Sequence, residues 1–101
     1  MKLPSNNILI SIADILRLMG EPNRLKLLLV CLEKPQAVSD LAEQLQLSLP
    51  LVSHHLRLLR SARLVCAKRE GKHIFYEIDD DHVRCILMDM ISHFTEDLEE
   101  S

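Results

Sequence analysis

Between Ser39 and Ile78 the chain reads as two short helices joined by a tight turn, then two β-prone runs around a glycine. No other stretch constrains the fold as strongly. Ser39 can cap a helix running through about Gln46, with Leu41, Ala42 and Leu45 turned inward. Leu47-Ser48 makes the turn. Ser48 can cap the next helix and Pro50 fits its first turn; the helix continues through about Ser61, burying Val52, Leu56 and Leu59. Leu64–Arg69 and His73–Ile78 then flank Glu70-Gly71-Lys72 as a hairpin with Arg69 and Lys72 at its tip. Two helices alone would fit any helical hairpin in an all-α core. The basic-tipped hairpin turns the reading into a winged helix-turn-helix, which seats one helix in the major groove and the hairpin near flanking phosphates.

The flanking segments complete one domain over residues 1–101, mainly α with a small β-hairpin, an α+β chain. Asn6–Met19 places Ile8, Ile12, Ile15 and Leu16 on one helical face and stops at Gly20. Pro22 opens a second helix through about Leu32 that is apolar nearly all round, which argues for burial. Cys31, Cys66 and Cys85 are odd in number and widely spaced, so a disulfide framework is not expected; each fits a small buried hydrophobe. With no long apolar run and no leader-like start, the expectation is a soluble, cytoplasmic protein that meets no membrane.

The net charge of −3 hides two poles. Residues 48–72 hold six Lys/Arg against one Glu, whereas residues 79–101 hold one Arg against eight acids. A basic middle suggests a polyanion as partner, and an acidic end suggests a cation.

That acidic end is DDDHVRCILMDMISHFTE, an amphipathic helix of about residues 80–98 interrupted by polar groups. His82 and His93 are eleven residues apart, three turns plus about 20°, so they share a face. The rise between them is ~16 Å, whereas ligands sit only ~2 Å from a zinc ion. One chain cannot close a site with both; two antiparallel copies can. Pairing His82 with His93 of a second copy puts the two-fold axis at the mean of 82 and 93, which is 87.5. Pairing Asp80 with Glu96 puts it at 88. A symmetric dimer would then build two identical sites of Asp and His from one subunit with His and Glu from the other, a set suited to zinc, with cobalt as a substitute. The plain alternative is a solvated surface helix in which Asp79 or Asp80 merely caps the N-terminus. Asp89 falls about 20° from His82 on the same face. Near the axis it would oppose its own copy, a repulsion that a bound cation would relieve.

MGEPNRLKLL, VSDLAEQLQLSLPLVSHHLRLLRSARLV and REGKHIFYEI resemble the ArsR/SmtB family of metal-responsive winged-helix repressors over about Met19–Glu96. The resemblance implies a homodimer through the first and last helices, whose metal-free form occupies a palindromic double-stranded operator and is released by metal. Asp80, His82, His93 and Glu96 match the D-x-H…H-x-x-E pattern of the branch that binds zinc or cobalt on the last helix, and so favour Asp80 over Asp79 and Asp81. Where the arsenic, lead and cadmium branch carries a C-V-C motif, this chain has Ala37-Val38-Ser39-Asp40, without a thiolate. A redox- or sulfide-sensing branch pairs a cysteine of the second helix with one late in the last; Cys31 and Cys85 lie in those helices but off its positions.

For DNA, Ser53, His54 and Arg57 are the side chains expected nearest base edges or phosphates. Ser48, Leu49 and Pro50 hold the leading end of that helix, where the family often offers a polar residue; Leu49 and Pro50 can touch thymine methyls but cannot make bidentate hydrogen bonds. Arg60 and Arg63, with wing residues Lys68, Arg69 and Lys72, are expected on phosphates, and His55 is expected to pack inward. Two other classes fare worse. A zinc hydrolase needs an open coordination position and a cleft, and no nucleophile or base motif accompanies these ligands. A pure protein-interaction module leaves the basic stretch unexplained. The expected protein is therefore a zinc- or cobalt-responsive transcriptional repressor without catalysis, with thiol sensing through Cys31 and Cys85 as the alternative.

Overall fold

The computed structural model describes residues 1–96 and the helical backbone of 97–100. Leu98, expected to end the apolar pattern of the last helix, and Asp97, Glu99 and Glu100 have side chains outside the described residues. The order is α1 (Asn6–Met19), α2 (Pro22–Glu33), β1 (Gln36–Ala37), α3 (Val38–Leu45), α4 (Leu49–Ser61), β2 (Val65–Glu70), β3 (His73–Ile78) and α5 (Asp81–Glu100). It is a winged helix-turn-helix, with β3 between β1 and β2 in an antiparallel sheet.

Local chemistry sets most boundaries. The Ser5 and Ser48 hydroxyls accept from the Ile8 and Leu51 amides, and so cap α1 and α4. Glu21 caps α2 ahead of Pro22. α3 departs from expectation: it starts at Val38, its N-cap Ala37 offers no side-chain bond, and Ser39 lies inside the helix. The reason is β1. Gln36 and Ala37 pair with Tyr76 and Phe75, so the extended strand sets where the helix can begin. Gly20 ends α1, but in a right-handed conformation with its amide donating to Leu16 O at 3.0 Å. The left-handed ends belong instead to Gln46 after α3 and Arg63 after α4, with φ of 55° and 60°. Each is followed by an amide reaching back to the last turn, Leu47 to Ala42 O and Leu64 to Leu59 O. The wing turns through Gly71-Lys72 with Gly71 at φ 62°, Glu70 opposite His73 and Val65 opposite Ile78.

α2 is the central post, bearing Leu27, Leu28 and Cys31 in a core shared with Leu41, Val52, Leu56, Leu59 and Val65. Burying one such leucine is worth about 1.5–3 kcal/mol. α1 is different: only Met19 of that helix is buried, and Ile8, Ile12 and Leu16 of its apolar face stand exposed. α5 likewise exposes Ile86, Met88, Met90, Ile91 and Phe94. Between the two helices and α2 runs an apolar cleft of about 490 Å³ lined by Leu16, Met19, Leu25, Leu29, Ile86 and Met90 among others. No helix among the described residues is long and apolar enough to cross a membrane.

Candidate nucleic-acid interface and metal ligands

α4 divides cleanly into two faces. Val52, His55, Leu56 and Leu59 are buried, while Leu49, Pro50, Ser53, His54, Arg57 and Arg60 are exposed on one stripe. No acidic residue lies in its first turn, so the positive end of the helix dipole is uncompensated by its own sequence. Arg63, Arg69 and Lys72 are exposed as well. Lys68 is not free: its ammonium pairs with the Glu77 carboxylate on the neighbouring strand, which raises the lysine's pKa. Nothing in the sequence announces Glu77 as its partner, because cross-strand pairing depends on register.

His55 is the buried polar residue of α4, at 6 % exposure. Its Nε2 stands 4.0 Å from Glu21 Oε2, and its Nδ1 has no hydrogen-bond partner. Burial lowers the imidazole's pKa, with the Glu21 carboxylate opposing that shift. Glu21 is itself held low, first by the Arg24 amide that donates to it at 2.9 Å. Arg24 Nε donates to Leu18 O at 2.6 Å, so the α1–α2 corner and the underside of α4 meet at one polar knot.

On α5 the four candidate ligands fall into two exposed pairs. Asp80 accepts from the Val83 amide through Oδ1 at 2.9 Å and thereby caps the helix. Its Oδ2 is 3.9 Å from His82 Nδ1, and the His82 side chain is 94 % exposed. His93 and Glu96 are exposed one turn apart further along, with the His93 ring edge-on to Phe94 at 5.0 Å between centroids. Among the described residues, no three His, Cys, Asp or Glu side chains of one chain gather as a metal set. Each pair presents one carboxylate and one imidazole, side chains of the kinds that zinc accepts as ligands. Asp89 is exposed, Asp79 uses its amide on Leu64 O, and Asp81 is the first residue of the helix.

The cysteines are all free thiols. Cys31 is fully buried, which pushes its pKa up to about 12, whereas Cys85 is exposed.

Residues 21–66 match the profile of the bacterial regulatory protein, arsR family. The chain is 33% identical over 94 residues to the HTH-type transcriptional repressor SmtB of Mycobacterium tuberculosis, covering 93% of this chain and 70% of that protein. It is 31% identical over 83 residues to a cadmium resistance transcriptional regulatory protein CadC homolog of Staphylococcus aureus, covering 81% and 69%. Among solved structures, the homodimeric winged helix-turn-helix DNA-binding domain of a possible ArsR-family regulator from Mycobacterium bovis superposes with a TM-score of 0.85 at 26% identity, covering 100% and 96%. Such relatives regulate transcription and are not enzymes. Fold and sequence match agree: this chain belongs to the ArsR/SmtB family of winged-helix transcriptional regulators.

Proposed function

We propose that the chain is a metal-responsive repressor acting in the cytoplasm as a homodimer built on α1 and α5. The metal-free dimer holds a palindromic operator, and zinc or cobalt releases it. The ligands are Asp80 and His82 of one subunit with His93 and Glu96 of the other. One observation carries the reading. The ligand strip of α5 borders that helix's uncovered apolar strip, with Ile86 about 40° and Met90 about 80° round from His82. A second copy covering Ile8, Ile12, Leu16, Ile86 and Met90 would bring the two ligand strips to the seam.

The donor set fits zinc, which when bound supplies a divalent charge and a preference for four ligands in tetrahedral array. Asp80 can serve it without uncapping α5, since Oδ1 holds the Val83 amide and Oδ2 remains available. Arg84 ties this end of α5 to α2 by donating to Leu32 O at 3.0 Å. α2 in turn reaches α4 through Glu21 and His55. A change in how the two α5 helices are held therefore reaches the reading helices through packed elements, and a coupling of about 1–3 kcal/mol is ordinary for such linkage.

Arg57 and His54 face the groove with Ser53, while Arg60, Arg69 and Lys72 neutralise phosphates. The thiol alternative finds less support, since a thiol with its pKa near 12 is almost never the reactive thiolate at neutral pH. The test is a titration of the dimer on a palindromic operator with and without zinc, repeated for His82→Ala and His93→Ala. Both variants should bind DNA and ignore zinc; an unchanged zinc response defeats the ligand assignment.

A further inference from the structure

The stripe that α4 presents outward is polar from Ser53 onward, but its leading turn offers bases almost nothing polar. Ser48 Oγ is engaged with the Leu51 amide at 3.2 Å. Pro50 has neither an amide hydrogen nor a polar side chain. Leu49 is 53 % exposed and lies only about 40° from Ser53 and 80° from Arg57 on the helix. It cannot retreat into the core, because the inner side of α4 is filled by Val52, Leu56 and Leu59. The N-terminal residues of a recognition helix are the ones that meet base edges. Of the groups that base pairs show in the major groove, the thymine 5-methyl is the apolar one. Guanine, adenine or cytosine edges set against Leu49 would lose water and gain no partner.

We propose that Leu49 is a specificity-determining residue that selects thymine at one position of each half-site by contact with its 5-methyl group. This rests on α4 being the helix that enters the groove. The leucine replaces hydrogen-bond readout at the leading contact with a dry methyl contact, while Ser53, His54 and Arg57 read the next positions.

The experiment begins by selecting an operator from a random duplex pool with the metal-free protein. Each thymine is then replaced singly by deoxyuridine, which removes only the methyl, and affinity is measured at fixed salt. One position per half-site should cost about fourfold, the factor expected from burying one methyl-sized group, and replacing both symmetric positions about 15-fold. Leu49→Ala should bind thymine and uracil duplexes alike. Uniform tolerance of deoxyuridine by the wild type, or continued discrimination by Leu49→Ala, overturns the proposal. Arg57→Ala separates the two ways of failing. Should it weaken every duplex while deoxyuridine has no effect, α4 is in the groove and only the role of Leu49 is wrong. Should neither Arg57→Ala nor Leu49→Ala alter binding, α4 is not in the groove and both assignments fall.

Discussion

The His55 imidazole lies beneath α4 with its Nε2 4.0 Å from the Oε2 of Glu21, the residue that caps α2. Burial favours the neutral ring, and the Arg24 amide favours the ionised carboxylate. Both folded-state pKa values are therefore lowered. As pH falls through about 6.5, the unfolded chain takes up a proton on His55 before the folded chain does, so stability drops. Below about 4.5 the loss continues as Glu21 is protonated more readily in the unfolded chain. Urea unfolding should give a lower midpoint at pH 5.5 than at pH 7.5, with a smaller difference in His55→Gln. Equal pH dependence of the two proteins would show that His55 does not contribute.

Asp80 caps α5, and substitutions can separate that role from the proposed zinc ligation. Asparagine caps a helix about as well as aspartate but is a poor zinc ligand, whereas alanine does neither. Asp80→Asn should leave unfolding within about 0.5 kcal/mol of wild type, and Asp80→Ala should cost about 1 kcal/mol. Zinc affinity, measured by competition with a chelator, should fall in both. Full zinc affinity in Asp80→Asn would reassign the carboxylate ligand to a neighbour.

Arg63 ends α4 at φ 60°, a conformation that favours glycine. Arg63→Gly should raise stability by about 1 kcal/mol, within the cost of left-handed backbone for a residue with a Cβ. A higher urea midpoint with unchanged slope would agree. A lower one would mean that the arginine side chain contributes more than its backbone costs.

The wing cations should not be equivalent. Arg69→Ala and Lys72→Ala each remove a free charge, so affinity should weaken on all sequences and the salt slope should shrink by about one for each phosphate no longer neutralised. Lys68→Ala should change both less, because its ammonium already serves Glu77. Equal effects from all three would show that DNA draws Lys68 away from its partner.

The helices, the wing and the faces of α4 were legible because they rest on periodicity, Ser48, Pro22, Pro50 and Gly71, whose preferences are local. Two features escaped for the opposite reason. β1 exists only because β3 folds back beside Gln36 and Ala37, and with that pairing the N-cap of α3 falls at Ala37 rather than at Ser39. The left-handed ends at Gln46 and Arg63 carry no glycine to announce them, while Gly20, which looked like such an end, is right-handed. On α5, the nearness of Asp80 to His82 and of His93 to Glu96 was legible from spacing on one helix. The cap held by Asp80 Oδ1, the ion pair of Lys68 with Glu77 and the Glu21–His55 contact depend on rotamers and neighbours that spacing does not encode.

Mixing the His82→Ala and His93→Ala variants tests the proposed shared site most directly. In a heterodimer of His82→Ala with His93→Ala, one site loses both histidines and the other keeps both. Each variant alone should bind zinc at the α5 seam much more weakly than wild type, yet the purified heterodimer should bind a single zinc ion tightly and regain part of the zinc response on operator DNA. A heterodimer that binds none would show that His82 and His93 do not meet across the subunits.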